Sequence, residues 1–124
     1  MKELVWVAAG GAIGAVARYL VSLGLSRGGE TAFPYATLLV NVVGSFALGA
    51  LAGLMARGSL SNELRLFVGV GVLGALTTFS TFSVETWSLL RAGRIAGATF
   101  NVLGNVVLSL SAAALAAWWI QRGR

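Results

Sequence analysis

Four long apolar blocks partition the chain: Leu4 to Leu25, Pro34 to Ala56, Leu64 to Leu90, and Ile95 to Ile120. Wound as a helix at about 1.5 Å per residue, each is long enough to cross a hydrocarbon layer of about 30 Å. The blocks are rich in Ala, Leu and Gly and lack the two-residue alternation of outer-membrane strands, so a β-barrel is not expected. A soluble core built from 124 residues could not hide a sequence that is 57% hydrophobic and 10% charged. Lys2 before the first block gives it the look of a signal peptide. The block is too long for that, and no polar mature domain follows it, so it reads as a true span. The connections, Ser26 to Phe33, Arg57 to Glu63 and Arg91 to Arg94, are short. The expectation is therefore an all-α membrane protein in which residues 1–124 form a single four-helix transmembrane domain, with spans near 4–25, 34–56, 64–90 and 95–120.

Several chemistries are excluded by what the chain lacks. It has no cysteine and no histidine. That removes disulfides, thiolate metal sites, the usual proton shuttle, and the Ser-His-Asp and Cys-His arrangements of hydrolases. The net charge of +5 does not indicate nucleic acid, because the basic residues stand singly at block ends with no clustered basic face. Arg57, Arg65, Arg91, Arg94, Arg122 and Arg124 read as interfacial anchors. Trp6, Trp87, Trp118 and Trp119 lie near block ends too, where aromatic belts form in a lipid bilayer.

Four spans put both termini on one side. That side carries Lys2, Arg57, Arg65, Arg122 and Arg124, and the other carries Arg27, Arg91, Arg94 and the deeper Arg18. Five against four gives the positive-inside rule almost nothing to act on, so dual insertion is expected unless a few strategic arginines decide the orientation. Glycines four apart, Gly10 with Gly14 and Gly49 with Gly53, allow helix backbones to approach closely in lipid.

Polar side chains at membrane depth are costly and therefore informative. Thr37, Asn41 and Ser45 share one face of the second span, and Asn101, Asn105 and Ser109 share one face of the fourth. Neither stripe contains a carboxylate. Uncharged donors suit a dehydrating anion better than a cation or proton; the same stripes would equally serve as hydrogen-bonded glue between helices. In the third span, Gly69, Gly71 and Gly74 lead into Thr77-Thr78-Phe79-Ser80-Thr81-Phe82-Ser83. So many β-branched and hydroxyl residues make a poor helix, so a break near mid-span is expected, against the alternative of a bend in which hydroxyls bond their own carbonyls. Freed carbonyls at such a break can hold a cation. Phe79 and Phe82, three apart, could turn positive ring edges toward an anion or simply pack.

At these residues the sequence resembles the Fluc family of fluoride channels, also called CrcB. The resemblance is carried by Gly10-Gly11-Ala12-Ile13-Gly14-Ala15-Val16-Ala17-Arg18-Tyr19, by Thr37-Leu38-Leu39-Val40-Asn41-Val42-Val43-Gly44-Ser45-Phe46, and most specifically by Gly74-Ala75-Leu76-Thr77-Thr78-Phe79-Ser80-Thr81-Phe82-Ser83-Val84-Glu85. It implies a fluoride-specific channel in a bacterial-type inner membrane, an antiparallel, dual-topology homodimer with two pathways lined by both subunits, and a structural Na⁺ at the dimer centre. It implies that Asn41, Phe79, Phe82, Ser80, Thr81 and Ser109 line the fluoride path, that Arg18 stands at the aqueous vestibule, and that the carbonyls of Gly74 and Thr77 hold Na⁺. The chain departs from the family pattern at Ala36, where a glycine is common, and at Asn101 and Asn105, where a tyrosine-like residue and a serine are expected. No enzymatic activity is expected. The rival functions are a small multidrug-type proton-coupled exporter, which would need Glu85 as its carboxylate, and a structural membrane subunit.

Overall fold

The computed structural model describes residues 1–123, so Arg124, counted above among the basic anchors, lies outside the described residues. Four helical segments are long and apolar enough to cross a membrane: Lys2–Leu25, Tyr35–Ala56, Asn62–Arg91 and Ile95–Arg122. All four helices are present, each within a few residues of its apolar block.

The first span lies along the N-terminal half of the third, and the second lies along the C-terminal half of the fourth. Glycine makes both contacts possible. A Cβ at Gly10 would run into the Phe67 carbonyl oxygen, and one at Gly71 would stand 2.8 Å from the Gly10 Cα. Between the second and fourth spans, a Cβ at Gly49 would meet the Ala113 backbone, and one at Gly53 would stand 2.9 Å from the Ile120 Cβ. The paired glycines therefore serve close packing inside one chain. In lipid, such approach supplies van der Waals contact that hydrophobicity cannot, since the surrounding tails are equally apolar.

Hydrogen bonds fix which ends share a face. Arg57 donates from Nη1 to the carbonyls of Ile120 (2.9 Å) and Gly123 (2.8 Å), so the ends of the second and fourth spans lie together. These are the orphan carbonyls of a helix C-terminus, where a cation is doubly favoured. Asn62 reaches Glu3 across the same face, and Arg65 donates to Asn62. At the opposite face Arg94 donates to the Thr31 carbonyl. Arg122 lies over the Trp118 ring, 4.3 Å from its centroid.

Two stretches are wound more widely, with π-helical turns: Arg65–Leu73 in the third span and Gly104–Leu108 in the fourth. The third span continues as an α-turn, Gly74–Leu76. Thr77 (φ −78°, ψ 153°) and Thr78 (φ −152°, ψ 121°) are then extended, and helix resumes over Phe79–Arg91.

Much of the apolar surface faces outward. Leu4, Val16, Leu20, Phe100, Leu110 and Trp119 are all exposed, whereas the interior is small and contains Val40, Leu51, Leu89 and Ala116. That inversion is what a lipid-facing bundle requires.

Candidate functional site

The extended pair Thr77-Thr78 organises the polar interior. In an unbroken helix the Thr78 N–H would bond to the Gly74 carbonyl. Here it donates to Asn41 Oδ1 at 2.8 Å, and Asn41 Nδ2 returns a bond to the Thr78 carbonyl at 3.1 Å. One carboxamide on the second span thus satisfies both backbone groups of an extended residue at membrane depth. The Thr78 side chain starts the next helix: its Oγ1 accepts from the Thr81 N–H at 3.2 Å and donates to Thr81 Oγ1 at 3.0 Å. Thr77 closes the preceding turn, its N–H and Oγ1 both donating to the Leu73 carbonyl.

Asn41 also donates to Asn105 Oδ1 at 2.8 Å. Asn105 Nδ2 donates in turn to the backbone and side-chain oxygens of Asn101, at 2.9 and 3.0 Å. Asn101, fully buried, donates to Thr86 Oγ1 at 2.9 Å, and Thr86 donates to the Phe82 carbonyl at 2.8 Å. The two polar stripes therefore meet, and their amides bond across the second, third and fourth spans.

Beside this network lies an open cavity of about 440 Å³. Its lining includes Asn41, Phe79, Phe82, Ser109, Gly74 and Thr77, six of the nine residues picked out from the sequence, together with Ser45, Thr78 and Asn105. The rings of Phe79 and Phe82 are 5.4 Å apart and tilted by 51°. Phe82 is buried at 8% exposure while Phe79 is 78% exposed, so the cavity is open at Phe79. Ser109 Oγ is buried with no hydrogen-bond partner, an unused donor at the cavity edge.

The other three residues lie elsewhere. Ser80 is exposed, with a single 3.4 Å contact to Thr78 Oγ1, and is not part of this wall. Thr81 and Arg18 line a second cavity of about 280 Å³ with Tyr19, Ser22, Thr37 and Val40. Arg18 Nε donates to the Ala75 carbonyl of the third span at 3.0 Å.

One contact was missed from the sequence. Glu85 entered only as the carboxylate a proton-coupled exporter would need, yet its Oε1 accepts from Thr37 Oγ1 at 2.8 Å while Oε2 is buried without a partner. The available signal was an acid at membrane depth, which is rarely idle. No cluster of His, Cys, Asp and Glu capable of holding a metal occurs among the described residues. Neutral carbonyl oxygens are the alternative donor set. The carbonyl of Gly74 has lost its helical donor to Asn41, and that of Thr77 stands just before the new helix. Oxygens of this kind suit an alkali cation.

The family model described as CrcB-like protein, Camphor Resistance (CrcB), matches residues 5–117. A fluoride-specific ion channel FluC of Shewanella pealeana is 50% identical over 106 residues, 86% of each chain. The Shewanella amazonensis protein of the same name is 48% identical over 111 residues, 90% of each chain. The Nitrobacter winogradskyi protein, likewise so named, is 50% identical over 107 residues, covering 86% of this chain and 85% of its own.

Proposed function

The chain belongs to the CrcB family, and from that membership we propose how its polar interior serves as a passive path for fluoride. It is a multi-pass membrane protein and a fluoride-specific ion channel, not an enzyme. The observation that carries the reading at the level of residues is the composition of the larger cavity. Its polar side chains, from Asn41, Ser45, Thr77, Thr78, Asn105 and Ser109, are all uncharged, and the rings of Phe79 and Phe82 share the lining with no carboxylate. Fluoride is small and strongly hydrated. A path that admits it must replace water's hydrogen bonds, and a narrow one excludes chloride by size. Amide and hydroxyl hydrogens do the first, and tilted phenyl rings contribute positive edges.

In this proposal Asn41, Phe79, Phe82 and Ser109 form the central part of the path. Thr81, with Ser80 near it, and Arg18 belong to the second cavity, toward a vestibule where a cation raises the local anion concentration. The third span is a broken helix, a reading supported by the extended backbone at Thr77 and Thr78. Its carbonyls at Gly74 and Thr77 would hold a structural Na⁺, which would neutralise converging carbonyl dipoles; the loss of Gly74's helical donor supports that fit. The openness of the cavity at Phe79 supports completion by a second copy, in an antiparallel homodimer that draws both orientations from one gene product. The near balance of basic residues supports the same arrangement. Located in a bacterial-type inner membrane, the channel would let fluoride trapped by dissociation of HF inside the cell leave down its gradient.

The test is efflux from liposomes holding only this protein and loaded with fluoride or chloride. Fluoride should leave while chloride stays. Equal chloride flux would refute fluoride selectivity, and proton-coupled uptake of an organic cation would favour an exporter instead.

A further inference from the structure

The amide network leaves neither carboxamide at the cavity with a donor for an anion. Asn41 uses Nδ2 on the Thr78 carbonyl and on Asn105 Oδ1, and Asn105 uses Nδ2 on the two oxygens of Asn101. Worse, the atom that Asn105 turns toward Asn41 is an oxygen, which would repel fluoride. Yet a carboxamide occupies nearly the same volume either way round, differing only in which end donates. We propose that, when fluoride enters the cavity, Asn105 and Asn101 turn their carboxamides over together, so that Asn105 Nδ2 joins Asn41 Nδ2 in binding the anion. The proposal rests on the fluoride-channel reading of that cavity.

The hydrogen bonds account for both states. Before turning, each link points one way: Asn41 to Asn105, Asn105 to Asn101, Asn101 to Thr86, Thr86 to the Phe82 carbonyl. After turning, the last links reverse. Asn101 Nδ2 donates to Asn105 Oδ1, and the Thr86 hydroxyl donates to Asn101 Oδ1. The Asn41 and Asn105 donors are then both free for fluoride. Two backbone carbonyls each lose a side-chain donor. The Asn101 carbonyl keeps the Gly104 N–H, and the Phe82 carbonyl is inside the helix Phe79–Arg91. No buried donor is orphaned, but the turned Asn105 Oδ1 stands where Nδ2 was, facing the Asn101 carbonyl oxygen, and the bonds to fluoride must offset that repulsion. Asn105 also sits in the π-helical stretch Gly104–Leu108, where the wider turn gives its side chain a different exit angle from that of a plain α-helix.

Asn101 is a positioning residue here, since it does not line the cavity. Asn101→Leu leaves the resting state its bond from Asn105 to the Asn101 backbone carbonyl, but removes the donor that the turned Asn105 oxygen needs. Asn105→Ser offers a hydroxyl that donates without any turning. The test is a double-mutant cycle on fluoride efflux from proteoliposomes, with size-exclusion profiles confirming assembly. Asn101→Leu should slow efflux about tenfold or more in the native background, the scale of one charge-assisted hydrogen bond. In the Asn105→Ser background the same substitution should slow it less than about twofold, because no turning remains to be blocked. Equal losses in both backgrounds would show a merely structural Asn101, and no loss in the native background would show that no turning occurs; either overturns the proposal. If Asn101→Leu does not assemble, Asn105→Ser must conduct about tenfold faster than Asn105→Leu, and equal rates overturn it. Absence of fluoride efflux from the native protein would instead overturn the channel reading itself.

Discussion

Replacing Asn41 by leucine keeps the branching and the number of side-chain heavy atoms and removes every hydrogen bond it makes. Three are lost: one accepted from the Thr78 N–H, one given to the Thr78 carbonyl and one given to Asn105 Oδ1. All three run between spans. Such bonds are worth on average about 0.6 kcal/mol each in membrane proteins and reach about 1.7 kcal/mol, so the expected destabilisation is about 2–5 kcal/mol. The upper part of that range applies because the Thr78 backbone is extended at membrane depth and has no other way to pair its N–H and C=O. The assay is reversible denaturation in mixed micelles, followed by the fluorescence of the four tryptophans at one protein concentration. Ser45→Ala, one turn along the same wall, removes a hydroxyl but none of these bonds, and should stay within about 0.5 kcal/mol of the native protein. A folded Asn41→Leu protein with equally small loss would refute the view that Asn41 holds the extended segment in place.

Gly10→Ala and Gly49→Ala should each cost about 1–3 kcal/mol by overpacking against backbone, whereas Gly11→Ala and Gly24→Ala, which meet nothing within 4 Å, should be nearly neutral in the same denaturation assay. Phe79→Ile and Phe82→Ile keep apolar bulk but remove the ring edge, so fluoride efflux should fall at least about tenfold with assembly unchanged; undiminished efflux would make the rings packing alone. Exchanging Na⁺ for a much larger cation during purification should lower activity or dimer stability, while Thr77→Ser should be mild because the proposed ligand is a backbone oxygen. Gly123→Cys would be the only thiol, and an impermeant reagent on intact cells should label about half of it; labelling confined to one face would rule out an antiparallel dimer.

Sequence by itself determined the solvent and the architecture. Apolar blocks at Leu4, Pro34, Leu64 and Ile95 admit no other partition, and their lengths match the helices found. The polar stripes were legible as well, because a four-residue spacing places Thr37, Asn41 and Ser45 on one helical face whatever surrounds it. The same spacing could not say whether a stripe faces a pathway or another helix. In the structure Asn41 does line a cavity, and it is also bonded directly to Asn105 on another helix.

What tertiary structure alone decided is who bonds to whom. Thr37 with Glu85, Arg18 with the Ala75 carbonyl and Asn41 with Thr78 are separated by 48, 57 and 37 positions. Each pairing depends on the rotation and axial register of two helices. Register here is set by the close backbone contacts at Gly10, Gly71 and Gly49, and by the wide turns over Arg65–Leu73 and Gly104–Leu108, which shift every later side chain around its axis. Composition announces an apolar helix, but no local pattern announces an extra residue in its turn. A sequence can therefore state that donors exist at membrane depth, whereas only the packed bundle determines which of them are already engaged and which, like the Ser109 hydroxyl, have no partner.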